Sequence, residues 1–250
     1  NQINRLDRVT DTVTANTTAV RVLIDHHLHP PVDGYAVQFS DTHACSTSYI
    51  VYQLLEALAG TDAIDQAMAE SLYVGIMTDT GNFSFSSLTS DLFRAVAVLI
   101  DKGVNVPYVN SSVYNNFSEG RMRLLGYMLN DKMVTDYEFG VAYVSLTEEE
   151  MRRFDFIQGD SEGFVNYPLT IKKMKMSAMF LGHHKFIRVS LRSRGDVDVN
   201  LFARKYFDGG GHKNAAGGKS YVSMDETIAH YIRSVEEFAR EGGLDTPPLR

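Results

Sequence analysis

At 250 residues, with 44% hydrophobic and 22% charged residues, the chain is long enough for one large or two medium domains and lacks a disordered composition. A net charge of −7 argues against a long phosphate-tracking groove, which needs many Lys and Arg contacts, but leaves room for a small anionic ligand. No stretch reaches the roughly 18 apolar residues of a membrane span, and the single cysteine, Cys45, excludes an intrachain disulfide, so a cytoplasmic location is expected.

The first 18 residues are polar and lack the basic and apolar regions of a signal peptide. Residue 1 is Asn and not Met, as expected of a chain that is trimmed or that continues upstream. Residues 20–24 form an apolar run, broken by Arg21, that stops at Asp25-His26-His27 and Pro30-Pro31. This predicts a buried strand followed by a loop. Residues 35–39 predict a second strand. Ile50, Leu54 and Leu58 predict a helix over 46–58, with Gly60 as its stop. Ile64, Met68, Leu72 and Ile76 recur every four residues, so one helix is expected to run up to Thr78-Asp79. A further helix over 90–102 is closed by Gly103. Strands alternating with helices predict a layered α/β domain with a mostly parallel sheet.

The character changes after about residue 117. A connecting helix is expected over 119–129, then a half-buried, alternating strand over 139–146. Thr147 with Glu150 and Ser223 with Glu226 each form a capping-box pattern, opening a short helix and a terminal one. Residues 176–181 and 186–191 predict paired strands, and 199–206 a helix. The expected division is a partial α/β domain over 1–118, a connecting segment over 119–133 and a smaller α+β domain over 134–250.

Three segments carry chemistry. Asp25-His26-His27 ends a strand, where open α/β folds bind ligands. An imidazole suits Mn, Zn or Fe, and an adjacent carboxylate can orient it; three residues alone are equally a solvated loop. Asp79 sits where the helical pattern gives way to Thr80-Gly81-Asn82-Phe83, which suits either a metal-bridging carboxylate or an ordinary turn. The third segment is Gly209-Gly210-Gly211-His212-Lys213-Asn214-Ala215-Ala216-Gly217-Gly218. Consecutive glycines let the backbone approach a ligand and turn N–H groups toward an anion; a flexible linker is the alternative. Arg192 and Arg194, at the end of a predicted strand, offer forked donors for phosphate.

Together, Ile24-Asp25-His26-His27, Thr78-Asp79-Thr80-Gly81-Asn82-Phe83, Ser190-Leu191-Arg192-Ser193 and the glycine segment resemble, in order and spacing, the DHH–DHHA1 phosphoesterases, most closely the nano-RNase and pAp-phosphatase branch. The resemblance implies a DHH domain and a smaller DHHA1 domain with substrate in the cleft between them. It implies His26 and Asp79 as metal ligands, Asp79 shared by two Mn²⁺ ions. Asp25 would orient a ligand, and His27 would meet the scissile phosphate. Arg192, Gly210, Gly211 and His212 would hold a short oligonucleotide or small nucleotide, while metal-activated water attacks phosphorus.

The family also places a His-x-Asn-x-Asp-x-Asp motif and a further acidic motif before the DHH segment, and these 250 residues contain neither. They are therefore expected to bind metal poorly and to be impaired as an enzyme, whereas a longer parent would be competent. Cyclic-dinucleotide or polyphosphate hydrolysis, or non-catalytic nucleotide binding, are the alternatives, and a homodimer is compatible with the sequence. His43, Cys45, His183 and His184 are read as surface or helix-start residues. Lys172, Lys173 and Lys175 are read as a solvated basic edge, and the methionines of 174–179 as strand packing.

Overall fold

A computed structural model describes residues 9–27, 33–84 and 88–245. The chain divides into two compact units, Asn1–Asn116 and Phe117–Arg250. Among the described residues no helix is long and apolar enough to cross a membrane.

In the first unit a short helix α1 (Thr10–Ala15) precedes strand β1 (Val22–Asp25), which pairs in parallel with β2 (Val37–Ser40). The expected strand is present, but it is buried on one side only. Leu23 and Asp25 are buried while Val22 is 50% exposed, because successive side chains of a strand turn to opposite faces. The expected Pro30-Pro31 loop lies outside the described residues. Helix α2 (Thr47–Ala59) opens on the Ser46 hydroxyl, which accepts from the Tyr49 N–H at 3.0 Å, and stops at Gly60, whose φ of +76° favours glycine.

Helix α3 (Gln66–Asp79) is capped by Asp65, which accepts from the Met68 N–H at 2.8 Å, so Ile64 stays just outside it. Helix α4 (Ser90–Asp101) opens on Thr89 and is followed by Gly103. Helix α5 (Val106–Tyr114) is absent from the sequence reading. Only Val109 of it is buried, so it offers little apolar periodicity to detect. Tyr52, Ile64, Tyr73, Ile76, Leu92 and Leu99 form the core of this unit.

In the second unit α6 (Glu119–Tyr127) runs on into a wide turn, Met128–Lys132. Leu124, Leu125 and Met128 pack with Val144, Leu146, Phe164 and Met179, so this segment belongs to the unit's own core. The sheet holds β3 (Val134–Asp136), β4 (Val141–Leu146), β5 (Met176–His183), β6 (Phe186–Ser193), β7 (Gly210–His212) and β8 (Ala215–Ser220), in the order β3-β4-β5-β6-β8-β7. Only β4 and β5 run parallel.

Strand β4 is not the half-exposed strand that its alternation predicts. Val141 faces the core under the helices α8 (Val199–Tyr206) and α9 (Met224–Arg240), while Val144 and Leu146 face the core under α6, so both sides are covered. Both predicted capping boxes form, Thr147 with Glu150 at α7 (Glu148–Arg152) and Ser223 with Glu226 at α9. Met174, Met176 and Met179 are buried, as the strand-packing reading requires.

Candidate functional site

Strand β1 delivers Asp25 to its carboxyl end as a buried carboxylate. Its Oδ1 accepts from Nδ1 of His27 at 2.7 Å and from the backbone N–H groups of His26 (3.0 Å) and His27 (3.3 Å). Burial alone would raise the Asp25 pKa. The hydrogen bonds and charge from His27 and the neighbouring N–H outweigh it and hold the group at about 2. An ionised carboxylate only accepts, so Nδ1 of His27 is the donor in this bond, and in the neutral ring Nε2 carries the lone pair.

His26 is fixed in the same manner by a different partner. Its Nδ1 lies 3.2 Å from the Ala44 carbonyl, which can only accept, so in the neutral ring Nε2 is a lone-pair donor. That Nε2 lies 3.7 Å from Oδ2 of Asp79. The gap is too long for a hydrogen bond. It is near the spacing of two atoms ligating one divalent ion at roughly 2.1 Å each. The two donors therefore fit part of a metal shell, and their chemistry suits Mn²⁺ or Zn²⁺.

Asp79 is the last residue of α3, with its side chain half exposed. The chain behind it turns sharply. Gly81, Asn82 and Phe83 have φ of +56°, +56° and +59°, three left-handed residues in a row. For Asn82 and Phe83 that conformation costs on the order of 1 kcal/mol each. Buried Thr80 braces the turn, since its hydroxyl donates to the Ile76 carbonyl at 2.8 Å and accepts from the Phe83 N–H at 3.1 Å. The Phe83 ring packs on Tyr73 and Phe93. Sequence reading singled out the motif but not Thr80 as its brace; a buried hydroxyl inside such a motif is the available signal.

In the second unit, residues 209–218 are a hairpin and not an open anion-binding loop, which corrects the expectation from the glycine run. Strand β7 lies at the sheet edge, and α8 covers it. The Gly209 N–H donates to the Ala203 carbonyl at 3.1 Å, and the Gly211 N–H to Oδ1 of the buried Asn200 at 2.9 Å. The outward amides of an edge strand must find partners, and α8 supplies them. The glycines serve close packing: a Cβ on Gly211 would fall 2.7 Å from the Ala216 Cα, and one on Gly218 2.5 Å from the Phe207 carbonyl oxygen.

Arg192 pairs in register with Ala215 and Ala215 with His212, so Arg192 and His212 share one row across β6, β8 and β7. The guanidinium donates to the Leu191 carbonyl at 2.9 Å. Burial pushes its pKa down, and no carboxylate lies within ion-pair distance of it among the described residues. Such a guanidinium is suited to an incoming anion. Gly210 sits on β7 opposite Gly217.

The other histidines and lysines that the sequence reading named take no part in these contacts. His183 and His184 are exposed at the β5–β6 turn, and His43 is 96% exposed beside Asp41. Cys45 is buried just before α2, and burial raises its thiol pKa. Lys172 and Lys173 are exposed, while Lys175 donates to the Leu244 carbonyl at 3.0 Å.

Residues 137–241 match the DHHA1 domain. The chain is 31% identical over 208 residues to the bifunctional oligoribonuclease and PAP phosphatase NrnA of Bacillus subtilis (strain 168), covering 81% of this chain and 63% of that protein. It is 29% identical over 223 residues to the protein of the same name from Thermus thermophilus, covering 88% of this chain and 65% of the relative. The chain thus spans a little under two thirds of these relatives' length. A crystal structure of an exopolyphosphatase-related protein from Bacteroides fragilis superimposes with a TM-score of 0.90 at 37% identity, over 96% of this chain and 70% of that one.

Proposed function

The chain belongs to the DHH–DHHA1 phosphoesterases, and we propose that it hydrolyses short oligoribonucleotides or 3′-phosphoadenosine-5′-phosphate with a metal-activated water. The observation that carries this reading is the pair of oriented imidazoles beside a carboxylate. His26 presents Nε2 at 3.7 Å from Asp79, and His27 is held by Asp25 at 2.7 Å.

His26 and Asp79 would hold Mn²⁺. The ions, when bound, supply an activated water and offset charge on the phosphoryl oxygens. Asp25 fixes the tautomer of His27, whose Nε2 then meets the scissile phosphate. In the reaction the water oxygen bonds to phosphorus, the P–O ester bond breaks, and the leaving sugar oxygen takes a proton. Arg192, Gly210, Gly211 and His212 would hold the nucleotide. With the outward Gly211 N–H directed to Asn200, the contribution of the glycines is backbone shape and close approach.

His26 and Asp79 fall short of the roughly three protein ligands that such an ion needs, so these 250 residues alone would hold metal weakly and turn over slowly. Short substrates, a cytoplasmic setting and no role on long nucleic acid fit the acidic net charge of −7 and the single buried cysteine. The reading is tested with Mn²⁺ and a panel of a dinucleotide, 3′-phosphoadenosine-5′-phosphate, a cyclic dinucleotide and polyphosphate. Faster turnover of the first two is expected. Turnover confined to the cyclic dinucleotide or polyphosphate would replace the proposed substrate, and hydrolysis of none by the protein as its gene encodes it would favour a binding module.

A further inference from the structure

Arg204 stands out on α8. Its Nε donates to Oδ1 of Asn200 at 3.2 Å, and that same oxygen accepts the Gly211 N–H at 2.9 Å. Asn200 is 5% exposed and so fixes both partners. The guanidinium lies against Gly210: a Cβ there would sit 3.8 Å from Nε and 3.9 Å from Nη2. A larger residue at position 210 would crowd it.

Neighbouring cations are neutralised, Lys205 by Glu237 and Glu241 and Lys213 by Asp196. Arg204 is exposed and has no carboxylate within ion-pair distance among the described residues. A guanidinium anchored through Nε keeps Nη1 and Nη2 as a preoriented fork for an outside oxyanion.

We infer that Arg204, positioned by Asn200 beside Gly210, binds a phosphate monoester of the substrate other than the scissile group, and so selects nucleotides that carry a terminal phosphate. This rests on the phosphoesterase reading above and adds a second phosphate contact to it. Arg192 and Arg204 are contributed by separate elements, β6 and α8. A dinucleotide without a terminal phosphate would lose the Arg204 contact and keep the rest.

The test is equilibrium binding of pApA and ApA to the 250-residue chain at physiological ionic strength, for wild type, Arg204→Gln and the exposed control Arg240→Gln. The wild type should bind pApA about tenfold or more tighter than ApA, the effect of one charge-assisted contact. Arg204→Gln should bring that ratio close to 1 with ApA affinity unchanged, and Arg240→Gln should preserve it. Equal binding of both ligands by the wild type, or an unchanged ratio in Arg204→Gln, overturns the inference and leaves the phosphoesterase reading standing. Binding of neither ligand overturns the inference, and the phosphoesterase reading is then decided by the hydrolysis panel.

Discussion

Nδ1 of His27 donates a 2.7 Å hydrogen bond to Oδ1 of Asp25, which also gathers the backbone N–H groups of His26 and His27. One buried oxygen therefore sets the tautomer of one imidazole and the backbone angle that aims the other. In Asp25→Asn the amide oxygen can still accept, but the negative charge that strengthens the His27 hydrogen bond is gone. The kcat on a dinucleotide should fall about a hundredfold or more while the protein remains folded at the assay temperature. A variant with wild-type kcat would remove Asp25 from the mechanism.

The turn behind Asp79 is a second point of leverage. Gly81 has φ +56°, so Gly81→Ala should cost about 1 kcal/mol of stability, while Asn82→Gly, at the same φ, should be neutral or slightly stabilising. Urea denaturation of the two variants checks the contrast. Equal effects would mean that the left-handed run does not exist in solution.

Arg121 is buried at the start of α6. It donates to the carbonyls of Asp160 and Glu162 and lies over the rings of Phe117 and Phe164. Arg121→Ala leaves two carbonyls without their donor and opens a cavity, so a loss of about 3 kcal/mol is expected in chemical denaturation. A loss under about 0.5 kcal/mol, typical of a surface site, would contradict the burial.

Glu150 should shape the acid limb of stability. Burial would raise its pKa, but Lys132, the Thr147 N–H and Tyr127 hold it at about 2, below its ordinary value of 4.5. A depressed folded pKa contributes stability that is complete above the unfolded value. That stability is lost as pH falls from about 4.5 towards 2. Its size is on the order of 2 kcal/mol. Glu150→Gln should flatten this part of the stability–pH curve, and an unchanged slope would show that other carboxylates dominate it.

Much of this was legible in the sequence because local rules and global fold agree. The Thr147–Glu150 and Ser223–Glu226 boxes, the Val199–Tyr206 helix and the β5–β6 pair follow from spacing alone. The glycine run misled for a physical reason: glycine permits both an anion-cradling loop and two strands pressed close together. The decision lay with Asn200 and Ala203, whose sequence positions say nothing about β7. Strand β4 misled because its second face is covered by α6, a long-range contact that alternation cannot encode. Asp25, His26, His27 and Asp79 were found as a motif; that Ala44 sets the His26 tautomer was not visible before folding.

The central claim is that His26 and Asp79 serve one metal-dependent hydrolytic site. It is tested most directly by Mn²⁺-dependent hydrolysis of pApA by the protein as its gene encodes it, comparing wild type, His26→Ala and Asp79→Ala, with melting curves alongside. Both variants should lose about a hundredfold or more of the rate while remaining folded. A folded His26→Ala or Asp79→Ala protein with the wild-type rate would contradict the assignment.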